Sequence, residues 1–82
     1  MDHELTAVER RIVETLRAAR GPLRESALHG RLNERAPLDP DLMIAALERL
    51  ATTGHVRVGF RHDGPTLRDP APFAPRYWRL IE

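Results

Sequence analysis

The chain has 82 residues, 41% hydrophobic and 30% charged, with a formal net charge of +1 and no cysteine. The length suits a single domain with one core, spanning residues 1–82, and the absence of cysteine excludes disulfides, thiol catalysis and thiolate metal sites. No apolar run is long enough for a membrane span and no signal-peptide pattern opens the chain, so the expected location is cytoplasmic, with no membrane partner.

The 13 basic residues are all arginine, the cation that best matches the planar geometry of phosphate and carboxylate. Their distribution is uneven. Residues 1–20 sum to 0, residues 21–54 to −1 and residues 55–82 to +2.

Thr6-Ala-Val-Glu9 is a capping box, with the Thr6 hydroxyl and the Glu9 carboxylate each serving a backbone amide of the other residue. Val8, Ile12, Leu16 and Ala19 then recur at helical spacing, which predicts an amphipathic helix over residues 6–20, stopped by Gly21-Pro22. A second helix over residues 24–35 rests on Leu28 and Leu32, one turn apart, and tolerates Gly30 at a cost of about 1 kcal/mol. After Ala36-Pro37-Leu38, Asp39 is an N-cap, Pro40 fits the first helical position and Asp41 complements the helix dipole. The third helix runs over residues 40–53 and ends at Gly54, a left-handed cap.

At Gly54 the period changes from helical to alternating. His55-Val56-Arg57-Val58-Gly59-Phe60 predicts a strand over residues 55–61, with Val56, Val58 and Phe60 inward. A second strand over residues 76–81 would turn Trp78 and Leu80 inward. Four prolines between Pro65 and Pro75 preclude a regular ladder there, so this piece is a long connection between antiparallel strands. The expected fold class is mainly α with a small β-hairpin (α+β).

The order and spacing of Leu5-Thr6 with Glu9 and Ile12, of Gly21-Pro22-Leu23 with Leu28 and Leu32, and of Leu47, Leu50 and Gly54-His55-Val56 resemble the winged-helix (winged helix-turn-helix) family. The resemblance covers nearly the whole chain. It implies DNA binding, with the third helix in the major groove and the hairpin, or wing, against the backbone or minor groove.

The residues bear unequally on that implication. Turned at 100° per residue, the third helix places Met43, Ala46, Leu47 and Leu50 toward the core, with Leu42 at the margin. Asp41, Ile44, Ala45, Glu48 and Ala51 fall opposite, where a base reader would carry donors such as Arg, Asn or Gln. The hairpin is richer in arginine. The candidate DNA-contacting set is therefore Arg57, Arg61, Arg68 and Arg76, with Arg49 at the flank of the third helix. As ordinary solvated charges these arginines would partly pair with Asp63 and Asp69.

Ser26 and His29 share a helical face but have no orienting carboxylate or oxyanion motif, and His55, His62 and Asp63 match no standard metal spacing. The expectation is no enzyme, no metal and no cofactor. Two readings remain. One is a small DNA-binding regulator or accessory factor, acting as a dimer and contacting phosphates through a basic wing. The other is a protein-interaction or dimerisation module whose interface is Asp41, Ile44, Ala45 and Glu48.

Overall fold

The computed structural model describes residues 5–59 and 72–81. The elements in chain order are α1 (Ala7–Ala19), β1 (Leu23–Arg24), α2 (Glu25–Arg35), α3 (Pro40–Thr52), β2 (Val56–Gly59) and β3 (Tyr77–Leu80). The helix boundaries follow the local chemistry. At α1 the Thr6 hydroxyl accepts from the Glu9 amide at 3.1 Å, and the Glu9 carboxylate accepts from the Thr6 amide at 2.8 Å. At α3 the Asp39 side chain accepts from the Asp41 amide at 2.8 Å, and Pro40 occupies the first turn. Gly54 follows that helix with φ +83°, a backbone conformation that costs glycine nothing. The stop of α1 is less expected: Arg20, not Gly21, takes the left-handed conformation, with φ 56°.

Ile12, Val13 and Leu16 of α1, Leu28 and Leu32 of α2, and Met43, Leu47 and Leu50 of α3 bury one another, with Val56 and Trp78 closing the open side. Arg11 joins α1 to the end of α2 by donating to the Leu32 carbonyl at 2.8 Å and the Ala36 carbonyl at 3.1 Å. These carbonyls lie at the end of α2, where the Leu32 oxygen also accepts from the Ala36 amide at 3.2 Å. The α2–α3 turn is held twice: the Leu38 amide donates to the Asn33 side chain at 3.0 Å, and the His29 Nε2–H donates to the Leu38 carbonyl at 2.7 Å. His29 is therefore a structural group. His55 is likewise engaged, with its Nδ1 2.8 Å from the Thr53 hydroxyl.

The sheet has three antiparallel strands in the order β1-β3-β2, one more than the predicted hairpin. Leu23 lies opposite Trp78 and Arg24 opposite Tyr77, so the approach to α2 serves as an edge strand. On the other side Val56 pairs with Leu80, Arg57 with Arg79, Val58 with Trp78 and Gly59 with Tyr77. Alternation then assigns the faces. Leu23, Trp78, Leu80 and Val56 turn toward the helices; Arg24, Tyr77, Arg79, Arg57 and Gly59 turn away. Val58 shares the inner side but is 36% exposed, because β2 is the outer strand and the helical layer does not extend over it beyond Val56. Phe60 lies outside the described residues.

Candidate nucleic-acid interface

The outward side of α3 is acidic and aliphatic. Asp41, Ala45 and Glu48 are exposed, and Leu42, placed at the margin by the wheel, is 59% exposed. Ile44 departs from expectation: it is half-buried and packs against the core, as does Ala51. A wheel divides a helix into two halves, whereas α3 is flanked on more than one side, so the covered arc is wider than half. Besides the two carboxylates, only the Thr52 hydroxyl, which already donates to the Glu48 carbonyl at 2.9 Å, can meet a base edge from this face, and carboxylates beside phosphates are repelled.

Arg49, the flanking cation, points back toward the start of α1. Its Nε lies 3.6 Å from Oε2 of the buried Glu9. Glu9 thus serves the capping box and the ion pair together, while the Arg49 side chain stays 64% exposed.

The wing arginines separate into distinct environments. Arg57 is exposed on the outer sheet face. Arg61 and Arg68 lie outside the described residues, as do His62, Asp63 and Asp69. Arg76, placed in the DNA-contacting set by its position in the sequence, has a different partner: its guanidinium pairs with the fully buried Glu25, at 2.9 Å from Nε and 2.6 Å from the terminal nitrogen to Oε1. It also stacks 5.1 Å from the centroid of the Trp78 ring. A guanidinium so held has its charge matched inside the fold, and it leaves the set of cations offered to a phosphate.

Glu25 is the residue that sequence reasoning passes over. It opens α2 and is 0% exposed, an uncommon position for a carboxylate. Both carboxylate oxygens are engaged. Oε1 accepts from Trp78 Nε1–H at 2.9 Å as well as from Arg76, and Oε2 accepts from the Ala74 amide at 2.9 Å. The Glu25 amide in turn donates to the Arg76 carbonyl at 2.9 Å. The cluster fastens the N-terminus of α2 to the strand that carries the wing, and it fixes how the outer sheet face is presented.

On that outer face Arg57 and Arg79 are directly opposite one another, both exposed. Like charges in this position destabilise a sheet, and no described residue forms an ion pair or hydrogen bond with either side chain. Arg79 also borders a groove of about 610 Å³ whose lining is Leu16, Arg17, Arg20, Gly21, Pro22, Arg79 and Leu80. Among the described residues no group of three His, Asp or Glu is arranged to hold a metal, and no helix is long and apolar enough to cross a membrane.

The geometry therefore defines a class: an α+β domain of three helices and a three-stranded antiparallel sheet, with two exposed arginines facing one another on the sheet. Neither a protein-family model nor a curated protein matches the chain. One similar solved structure comes from work on the DNA recognition and protein interaction domains of HOP2 and its homologous DNA pairing properties. It superposes with a TM-score of 0.71 at 15% identity, over 92% of this chain and 100% of that one. At that identity the likeness is one of fold, and the fold is compatible with the winged-helix resemblance.

Proposed function

We propose that this domain is a winged-helix DNA-binding module, a regulator or accessory factor, that holds DNA through phosphates rather than by reading bases with α3. The observation that carries this reading is the contrast between two surfaces. The outer side of α3 presents Asp41 and Glu48, whereas Arg57 and Arg79 stand side by side on the wing with no carboxylate beside them among the described residues. The fold shared with a structure from work on DNA recognition adds to it. Arg57, together with Arg61 and Arg68 in the adjoining sequence, supplies the contacts; Arg49 contributes at the flank, reduced by its pairing with Glu9. Two copies acting together would add affinity that so small a contact set lacks.

A second reading is favoured by one specific observation. Leu42 is 59% exposed next to Asp41, Ala45 and Glu48, with Ile44 half-open beside them. That surface suits a protein partner or a second copy better than it suits DNA. Titrating labelled duplex at low salt, alongside sedimentation of the protein alone, separates the readings. Binding to duplex, by one copy or by two, supports the DNA module. Self-association that Ala45→Glu abolishes, with no affinity for duplex, supports the interaction module.

A further inference from the structure

We propose that the DNA-bearing surface extends off the wing, across the outer face of the sheet and into the groove beside the end of α1, with Arg79 and Arg20 as additional phosphate-binding residues; this rests on the DNA-binding reading above. The occupant is one phosphodiester strand of a duplex, lying on the side of the sheet that faces away from the helices.

Three independent features place it there. The first is the cross-strand pair. Arg57 and Arg79 occupy facing positions on β2 and β3, exposed, where their mutual repulsion works against the sheet. A polyanion laid over both converts that repulsion into shared attraction. The second is continuity. Arg79 belongs at once to the sheet face and to the groove that Arg17 and Arg20 line, and no carboxylate lines that groove among the described residues. The third is backbone strain. Arg20 takes φ 56° immediately before a glycine that could have taken that conformation freely. Left-handed backbone is unfavourable for a side chain with a Cβ and is sustained where the surroundings or function require it. Here the left-handed residue also caps α1, its amide donating to the Arg17 carbonyl at 3.3 Å, and it is one of the residues that line the groove. The C-terminal dipole of α1 accounts for a cation near Arg17 and Arg20; it does not account for Arg57 facing Arg79.

Duplex backbone is favoured over a single strand by the aromatic content of this face. Tyr77 is its one aromatic among the described residues, half-buried and already engaged in an interaction within the fold. Single-strand binders stack successive bases on open aromatic rings, and this face offers none. Phosphate contacts alone fit what is present.

The test is resonance mapping of the isotopically labelled full chain with a short DNA duplex at low salt, paired with a salt titration. Amide signals of Arg57, Tyr77, Arg79 and Arg20, and the guanidinium signals of the three arginines, should move while the amide signals of Asp41 to Glu48 stay in place. Three wing contacts by themselves would give a log–log salt slope of about −3, whereas adding Arg79 and Arg20 steepens it to about −4.5. The double variant Arg20→Glu/Arg79→Glu should return the slope to about −3 or flatter and weaken binding about tenfold or more at low salt. Arg35→Glu, at the exposed end of α2, should do much less. Shifts centred on α3 with Arg20 and Arg79 unmoved would overturn the extended surface while leaving DNA binding intact. An unchanged slope in a folded double variant would do the same. No shift anywhere at low salt overturns both readings, and the mapping on the wild-type chain decides even if the double variant fails to fold.

Discussion

Replacing Glu25 by alanine removes one acceptor group that serves three donors. The Trp78 Nε1–H and the Ala74 amide lose their partners, and the Arg76 guanidinium loses its counter-charge. Breaking a buried ion pair from one side costs about 3–5 kcal/mol. The Arg76 side chain is 21% exposed and recovers some hydration, which puts the expected loss near the lower bound, about 3 kcal/mol. A domain of this size holds together by roughly 5–15 kcal/mol, so Glu25→Ala should lower Tm by about 12–24 °C. Trp78 is the single tryptophan, and urea unfolding followed by its fluorescence reports on the cluster directly. Glu25→Gln keeps one oxygen for Trp78 and Arg76 but faces the Ala74 amide with an N–H, so it should fall between wild type and alanine. Adding Arg76→Ala to Glu25→Ala should cost far less than the two single losses combined, because both remove the same pair. A loss under about 1 kcal/mol for Glu25→Ala would refute the idea that this cluster joins α2 to the wing strand.

Gly30→Ala should stabilise the protein by about 0.5–1 kcal/mol, since a Cβ there meets nothing within 4 Å and the helix gains propensity; thermal unfolding reads this out. Ile44→Glu should cost about 1–2 kcal/mol in urea unfolding, not leave stability unchanged, because the side chain is half-buried against the core. Arg79→Thr should raise stability by a few tenths of a kcal/mol by relieving the charge facing Arg57, and the same variant should bind DNA more weakly. Gain in one assay with loss in the other is the expected signature of a cation kept for a ligand.

Where the chain carries local signals, they locate the elements closely. Thr6 with Glu9, Asp39 with Pro40, and Gly54 each act within one turn of a helix end, and the change from helical to alternating period at Gly54 marks the start of the hairpin. What escaped is non-local. Leu23-Arg24 is too short to show alternation and becomes a strand only because Trp78 and Tyr77 lie beside it. Glu25 carries no local signal that sets it apart; its partners Ala74, Arg76 and Trp78 are about fifty positions away. The same contact is why Arg76 looked like a free wing cation. Arg79 sits on the hairpin in plain view, but only the register that sets it against Arg57, and the packing that brings it beside Arg20, give it a role.

Affinity for two DNA duplexes of unrelated sequence, measured across a range of salt concentrations, tests the central claim most directly. Both should bind alike at low salt, with log affinity falling linearly against log salt and Arg57→Ala flattening the slope by about one unit for each duplex. Substituting Ala45 on the outward side of α3 should leave the ratio of the two affinities unchanged. No binding at low salt, or a strong preference for one duplex that the Ala45 substitution erases, would contradict a phosphate-held module and return α3 to the centre of the interface.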